Sequence, residues 1–71
     1  MKFRDLLRMV REGQLLEIVI SINGGDYVTT AYFENTAENR REMRKRYGNL
    51  TVSIIGTTFV KDNRYLRIHL M

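Results

Sequence analysis

The chain has 71 residues, 44% of them hydrophobic, with no cysteine, no proline and a formal charge of +4 at neutral pH. That length supports one small domain, residues 1–71, while the missing cysteines exclude a disulfide framework or a zinc–thiolate centre, and no apolar run approaches the ~20 residues that span a bilayer. The apolar content argues against a disordered linker, the start Met1-Lys2-Phe3-Arg4-Asp5 lacks a signal-peptide pattern, and the basic balance favours polyanions, so a cytoplasmic domain is expected.

Phe3, Leu6, Leu7 and Val10 recur at the spacing of one helix stripe, with Arg4, Arg8 and Arg11 turned away from its centre and Gly13 as the stop. So short a helix does not persist alone in water, and its stripe must pack on the sheet that follows. From Leu16 to Ile22 the alternation of Leu16, Ile18, Ile20 and Ile22 has the two-residue period of a strand with one buried face. Asn23-Gly24-Gly25-Asp26 then predicts a turn and Tyr27 to Glu34 the returning strand, with Ile20 opposite Thr29, Ile18 opposite Ala31 and Leu16 opposite Phe33.

Residues Asn35 to Gly48 predict the second helix. Asn35 or Thr36 supplies the cap, Glu38 lies in the first turn, Arg44, Lys45 and Arg46 gather at the end, and Gly48 is expected as a left-handed stop. Ala37, Met43 and Tyr47 share the flank expected to be buried, with Arg40 and Arg44 between them. Glu38 has Arg41 within one turn, and Glu42 has Lys45 and Arg46, whereas Arg40 and Arg44 have no acidic residue at those spacings. Two like charges one turn apart call for an external counter-charge. Either a ligand phosphate or a carboxylate from a strand, such as Glu17 or Glu34, meets that need.

After the helix, Leu50, Val52 and Ile54 alternate inward, and Phe59 falls on the opposite parity, so a bulge at Ile55-Gly56 is expected. Asp62-Asn63 predicts the last turn, placing Phe59 opposite Leu66 and Thr57 opposite Ile68. The predicted fold is therefore α+β in the order αββαββ: a four-stranded antiparallel sheet with both helices on one face. Its other face is expected to carry Leu15, Val19, Val28, Tyr32, Tyr65, Arg67 and His69, apolar enough to serve as a subunit interface in a homo-oligomer.

No residue set points to catalysis, a metal or a cofactor. His69 is the only histidine and is expected on the outward face of the last strand, the acids are scattered, and no serine sits in a recognisable nucleophile turn. The expectation is a non-enzymatic binder of an anionic ligand, a nucleotide or a nucleic acid. In it Arg40 and Arg44 clamp phosphate, Tyr47 stacks a base, and Arg41, Lys45 and Arg46 supply the surrounding field. The alternative is a protein-interaction module that inhibits a host nucleic-acid-binding or defence protein through its basic helix or an open strand edge.

Three stretches carry a family resemblance: the opening Phe3-Arg4-Asp5-Leu6-Leu7-Arg8-Met9-Val10, with Gly13 before Leu16 to Ile20; the helix exit Arg46-Tyr47-Gly48-Asn49-Leu50-Thr51-Val52; and the ending Tyr65-Leu66-Arg67-Ile68. In this layout the chain resembles small phage or prophage accessory proteins. The resemblance implies a small symmetric oligomer that blocks a host defence by sequestering a nucleotide signal or occluding a nuclease. No site motif of such proteins is matched, so no residue role is carried over.

Overall fold

A computed structural model describes residues 1–22 and 26–71; the turn expected at Asn23-Gly24-Gly25 lies outside the described residues. The elements follow the order α1 (Phe3–Leu7), β1 (Leu15–Ile22), β2 (Asp26–Glu34), α2 (Ala37–Tyr47), β3 (Val52–Val60) and β4 (Asn63–Leu70). They build an α+β domain with a single four-stranded sheet in the order β2-β1-β4-β3.

The sheet is mixed, which corrects the expected all-antiparallel arrangement. Each hairpin is antiparallel, but the inner strands β1 and β4 run parallel, pairing Leu16 with Leu66, Ile18 with Ile68 and Ile20 with Leu70. The cause is α2. Rising ~1.5 Å per residue, its 11 residues carry the chain back from the end of β2 towards the level at which β2 began. There β3 starts in the same direction as β2, and its hairpin partner β4 is left parallel to β1.

Leu16, Ile18, Ile68 and Leu70 of the inner strands, Phe3, Leu6 and Leu7 of α1, and Met43 and Tyr47 of α2 form one buried cluster. Both helices therefore cover the same face. At ~1.5–3 kcal/mol for each large apolar side chain withdrawn from water, this cluster is the main source of stability. Val19 is also fully buried although it points to the opposite face, so β1 is covered on both sides, as a central strand of a mixed sheet should be.

The hairpins are bulged, but not where expected. In β2 the register passes from Ile18–Ala31 to Val19–Thr29, making Thr30 the extra residue. Beyond that bulge Val28 pairs with Ile20 and Tyr27 with Ser21, so Val28 joins the helix side and Tyr27 the open face, the reverse of the sequence reading. In β3 the shift lies between Val52 and Ile54 rather than at Ile55-Gly56. The final turn is Lys61-Asp62, with φ of 50° and 67° and Val60 opposite Asn63, one residue earlier than expected. Two consecutive left-handed residues match the twist that a two-residue hairpin demands. In consequence Phe59 lies opposite Arg64 and Thr57 opposite Leu66.

The open face covers itself in part. Glu17 is buried there beside Arg67, at 3.3 Å, between two edge-to-face ring pairs, Tyr32–Tyr65 and Tyr27–His69, with centroids 5.3 and 4.6 Å apart. His69 is half-buried against Tyr27 rather than freely exposed.

Candidate functional site: an arginine cleft between the helices

The site begins with the joint between α1 and α2. After Leu7 the chain tightens into three-residue turns, Met9 and Val10 donating to the carbonyls of Leu6 and Leu7, and Gly13 turns it at φ +85°. That turn meets Asn35, fully buried just before α2. Asn35 Nδ2 donates to the carbonyls of Val10 and Arg11 at 3.0 and 2.8 Å, its backbone N–H donates to Gln14 O at 2.8 Å, and its carbonyl accepts from Gly13 N–H at 2.9 Å. One amide side chain thus fixes the end of the α1 segment to the start of α2. Capping itself falls to Thr36, whose hydroxyl accepts from the N–H of Asn39 at 3.2 Å.

At the other end, Gly48 closes α2 in right-handed geometry (φ −56°), correcting the expected left-handed stop. Glycine is needed there for a different reason: a Cβ would run into the carbonyl oxygen of Arg44. The Gly48 carbonyl in turn accepts from the N–H of Arg4 at 3.2 Å, holding the first turn of α1 beside the last turn of α2.

Between these two ties lies a cleft of about 360 Å³. Its floor is Leu7 and Val10, and its walls carry Arg4 from α1, Arg8 just after it, and Arg40 and Arg44 from α2, with Glu12 at one end. Arg40 and Arg44, four residues apart in α2, stand on one side of its axis, and Arg4 and Arg8 line the same cleft from the α1 segment. Arg40 is held at the rim by Glu12, at 2.9 Å, with the side-chain and main-chain oxygens of Asn35 at 3.3 and 3.4 Å. Arg4 donates to the side-chain oxygen of Asn49. Among the described residues Arg8 and Arg44 have no acidic partner, and four guanidinium groups here face one carboxylate. Guanidinium N–H groups only donate, so the chemistry this arrangement offers is anion recognition.

The expected site residues divide. Arg44 stands in the cleft without a counter-charge, as its spacing suggested. Arg40 lines the same cleft but is matched by Glu12, not by Glu17 or Glu34 and not by vacancy. Tyr47 cannot stack a base: it is buried in the core, with Phe3 and Phe33 rings each 6.4 Å away. The Tyr47 hydroxyl and Glu42, the latter at 2.6 Å, together raise the Arg46 pKa above its ordinary value, and the ion pair ties that cation to the helix surface. Arg41 and Lys45 lie on another flank of α2, around a shallow depression shared with Glu38 and Glu42, where two acids offset two bases. They do not join the cleft.

The sequence reading missed Arg4 and Arg8. Their four-residue spacing was visible, and they do turn from the apolar stripe of α1, but only the tertiary joint puts them opposite Arg40 and Arg44. A second depression, lined by Arg11, Gln14 and Arg64 among others, follows directly along the chain after Val10. Among the described residues no group of three histidine or acidic side chains is placed to hold a metal ion, and no helix is long and apolar enough to cross a membrane. Comparison with known protein families, curated protein sequences and solved structures finds no match to this chain.

Proposed function

We propose that this domain is a non-enzymatic binder of nucleic acid, gripping the phosphate backbone in the cleft between α1 and α2. The observation that carries the reading is the pair Arg8, at the end of α1, and Arg44 of α2, which meet no carboxylate among the described residues and stand over an apolar floor. Guanidinium forks match phosphate oxygens in geometry as well as charge. A polymer fits better than a single nucleotide for two reasons. Among the described residues no aromatic ring lines the cleft to receive a base, Tyr47 being buried, and the basic lining resumes at Arg11 and Arg64, where a further phosphate can be met. Contacts of that kind set affinity and register without reading sequence.

Fluorescence anisotropy with labelled single- and double-stranded oligonucleotides tests this directly. With about three phosphates neutralised, log K should fall with log salt at a slope of ~−2 to −3. Replacing Arg8 and Arg44 together by alanine should weaken binding at least tenfold and flatten the slope by ~1–2, whereas replacing Arg41 and Lys45 should not. Equal losses from the two double variants would show that overall charge, rather than the cleft, holds the ligand.

A further inference from the structure

Strand β3 is an edge of the sheet, and among the described residues its open side is covered only at its start. The N–H of Val52 donates to the carbonyl of Met1 at 2.8 Å and Lys2 bridges to Thr51, so residues 1–2 cap the edge there and stop. Beyond this point the strand carries Ile54, Ile55 and Phe59, 53%, 48% and 70% exposed, and Val52–Val60 contains no charged residue. Edge strands of soluble proteins are ordinarily protected by charge, proline or short length. This one has none of those devices over its last seven residues.

We propose that residues 54–60 of β3 pair antiparallel with the same segment of a second copy of this chain, joining two sheets into one across a two-fold axis at Thr57. The register follows from the side chains. A two-residue turn leaves Val60 and Asn63 bonded to each other, so alternation turns the free backbone groups of Ile55, Thr57 and Phe59 to the open edge. Centred on Thr57, the pairing sets Ile55 against Phe59 of the partner subunit on the helix side and Ile54 against Val60 of the partner subunit on the other, each contact made twice. Both are apolar cross-strand pairs, and no charge opposes a like charge. Neither of the other two surfaces open to a second copy offers this. Pairing β2 with itself about its centre brings Asp26 against Glu34, two acids, at both ends. Docking through the open face would take the charged Arg67, still 40% exposed, further out of water, at a desolvation cost that the β3 edge does not carry. The perpendicular two-fold axis leaves the helices of both copies on one side of the joined sheet.

Sedimentation velocity on the full chain tests the assignment, with Thr57→Lys placing two lysines against each other on the axis and Tyr32→Lys altering the open face. The expected result is a species of twice the 8.4 kDa chain mass for the parent and for Tyr32→Lys, and a folded monomer by circular dichroism for Thr57→Lys. Because the chain has no cysteine, Thr57→Cys gives a second reading: a short bis-maleimide should cross-link it quantitatively, and Thr30→Cys on β2 not at all. A parent that is monomeric at every concentration, a dimer that survives Thr57→Lys and dissociates with Tyr32→Lys, a ladder of higher species from β2–β3 pairing, or absent cross-linking at residue 57 each overturns the proposal.

Discussion

Replacing Asn35 by alanine should cost more than any other single polar change near the cleft. The side chain is fully buried, and the substitution removes both Nδ2 donations, to Val10 O at 3.0 Å and Arg11 O at 2.8 Å, along with the oxygen that faces Arg40 at 3.3 Å. A buried carbonyl deprived of its donor costs ~1–3 kcal/mol, and the exposed flank at Arg11 lets water recover part of that, which gives ~2–4 kcal/mol in all. In a domain of this size 1 kcal/mol moves Tm by ~4–8 °C, so a fall of ~10–30 °C is expected. Thermal and urea unfolding followed by circular dichroism measure it. Thr36→Ala is the control, because it removes a cap worth ~1 kcal/mol without touching the α1 segment. If Asn35→Ala unfolds within ~0.5 kcal/mol of the parent, or no more easily than Thr36→Ala, the tie between the helices is not the amide and the reasoning fails.

Removing the one carboxylate lining the cleft should strengthen polyanion binding: Glu12→Gln frees Arg40, and anisotropy titrations should show affinity rising severalfold while Tm barely moves, since Glu12 is 64% exposed. Tyr47→Phe should leave oligonucleotide affinity unchanged, whereas Tyr47→Ala should cost ~3–5 kcal/mol of stability through the vacated space between Phe3 and Phe33; affinity lost in Tyr47→Phe would give the Tyr47 hydroxyl a part in binding and overturn its purely structural role. Gly48→Ala should destabilise by more than the ~1 kcal/mol an ordinary helical site gains from alanine, because the new methyl meets the Arg44 carbonyl, and a more stable variant would contradict that clash. Arg67→Met should destabilise the domain in urea unfolding by removing the cation 3.3 Å from the buried Glu17, with a neutral result showing that the open face does not depend on the pair.

The local elements were legible because their signals are local. The stripe Phe3, Leu6, Leu7, the alternation through Leu16 and Ile18, and the Thr36 cap each lie within a few residues of what they specify, and all appear in the fold. The parallel contact between β1 and β4 joins the two strands furthest apart in the chain, and no turn or spacing encodes it. Registers slipped for a related reason. A bulge needs only one extra residue, and Thr30 and Ser53 look no different from their neighbours, yet each flips the faces beyond it, moving Val28, Tyr27 and Ile54. Of the expected site residues, spacing alone marked Arg40 and Arg44, but it saw only one wall of the cleft. The carboxylate that satisfies Arg40 comes from the loop after α1, not from a strand, and Tyr47 looked available only because a helix wheel does not show how deep a flank is buried.

The same connection explains the mixed sheet and the cleft. To return the chain between β2 and β3, α2 must lie along the sheet on the face already holding α1, and the space left there is set by the residues in contact: Met43 and Tyr47 from one helix, Phe3, Leu6 and Leu7 from the other. With those flanks turned down into the core, the arginines at the borders of each stripe have nowhere to go but up and towards each other. Arg4, Arg8, Arg40 and Arg44 therefore converge without any contact between them that favours convergence. Like charges gathered at a joint weaken it in low salt, and the backbone ties through Asn35, Gly13 and Gly48 are what oppose them. An anion bound in the cleft relieves that repulsion, so ligand and salt should each raise stability, and Arg8→Ala or Arg44→Ala should do the same at low ionic strength while abolishing the gain from ligand. A parent whose Tm is indifferent to salt and polyanion, with both alanine variants no more stable than it, would mean that the four cations are spaced widely enough to ignore one another, and that the cleft is not poised for phosphate.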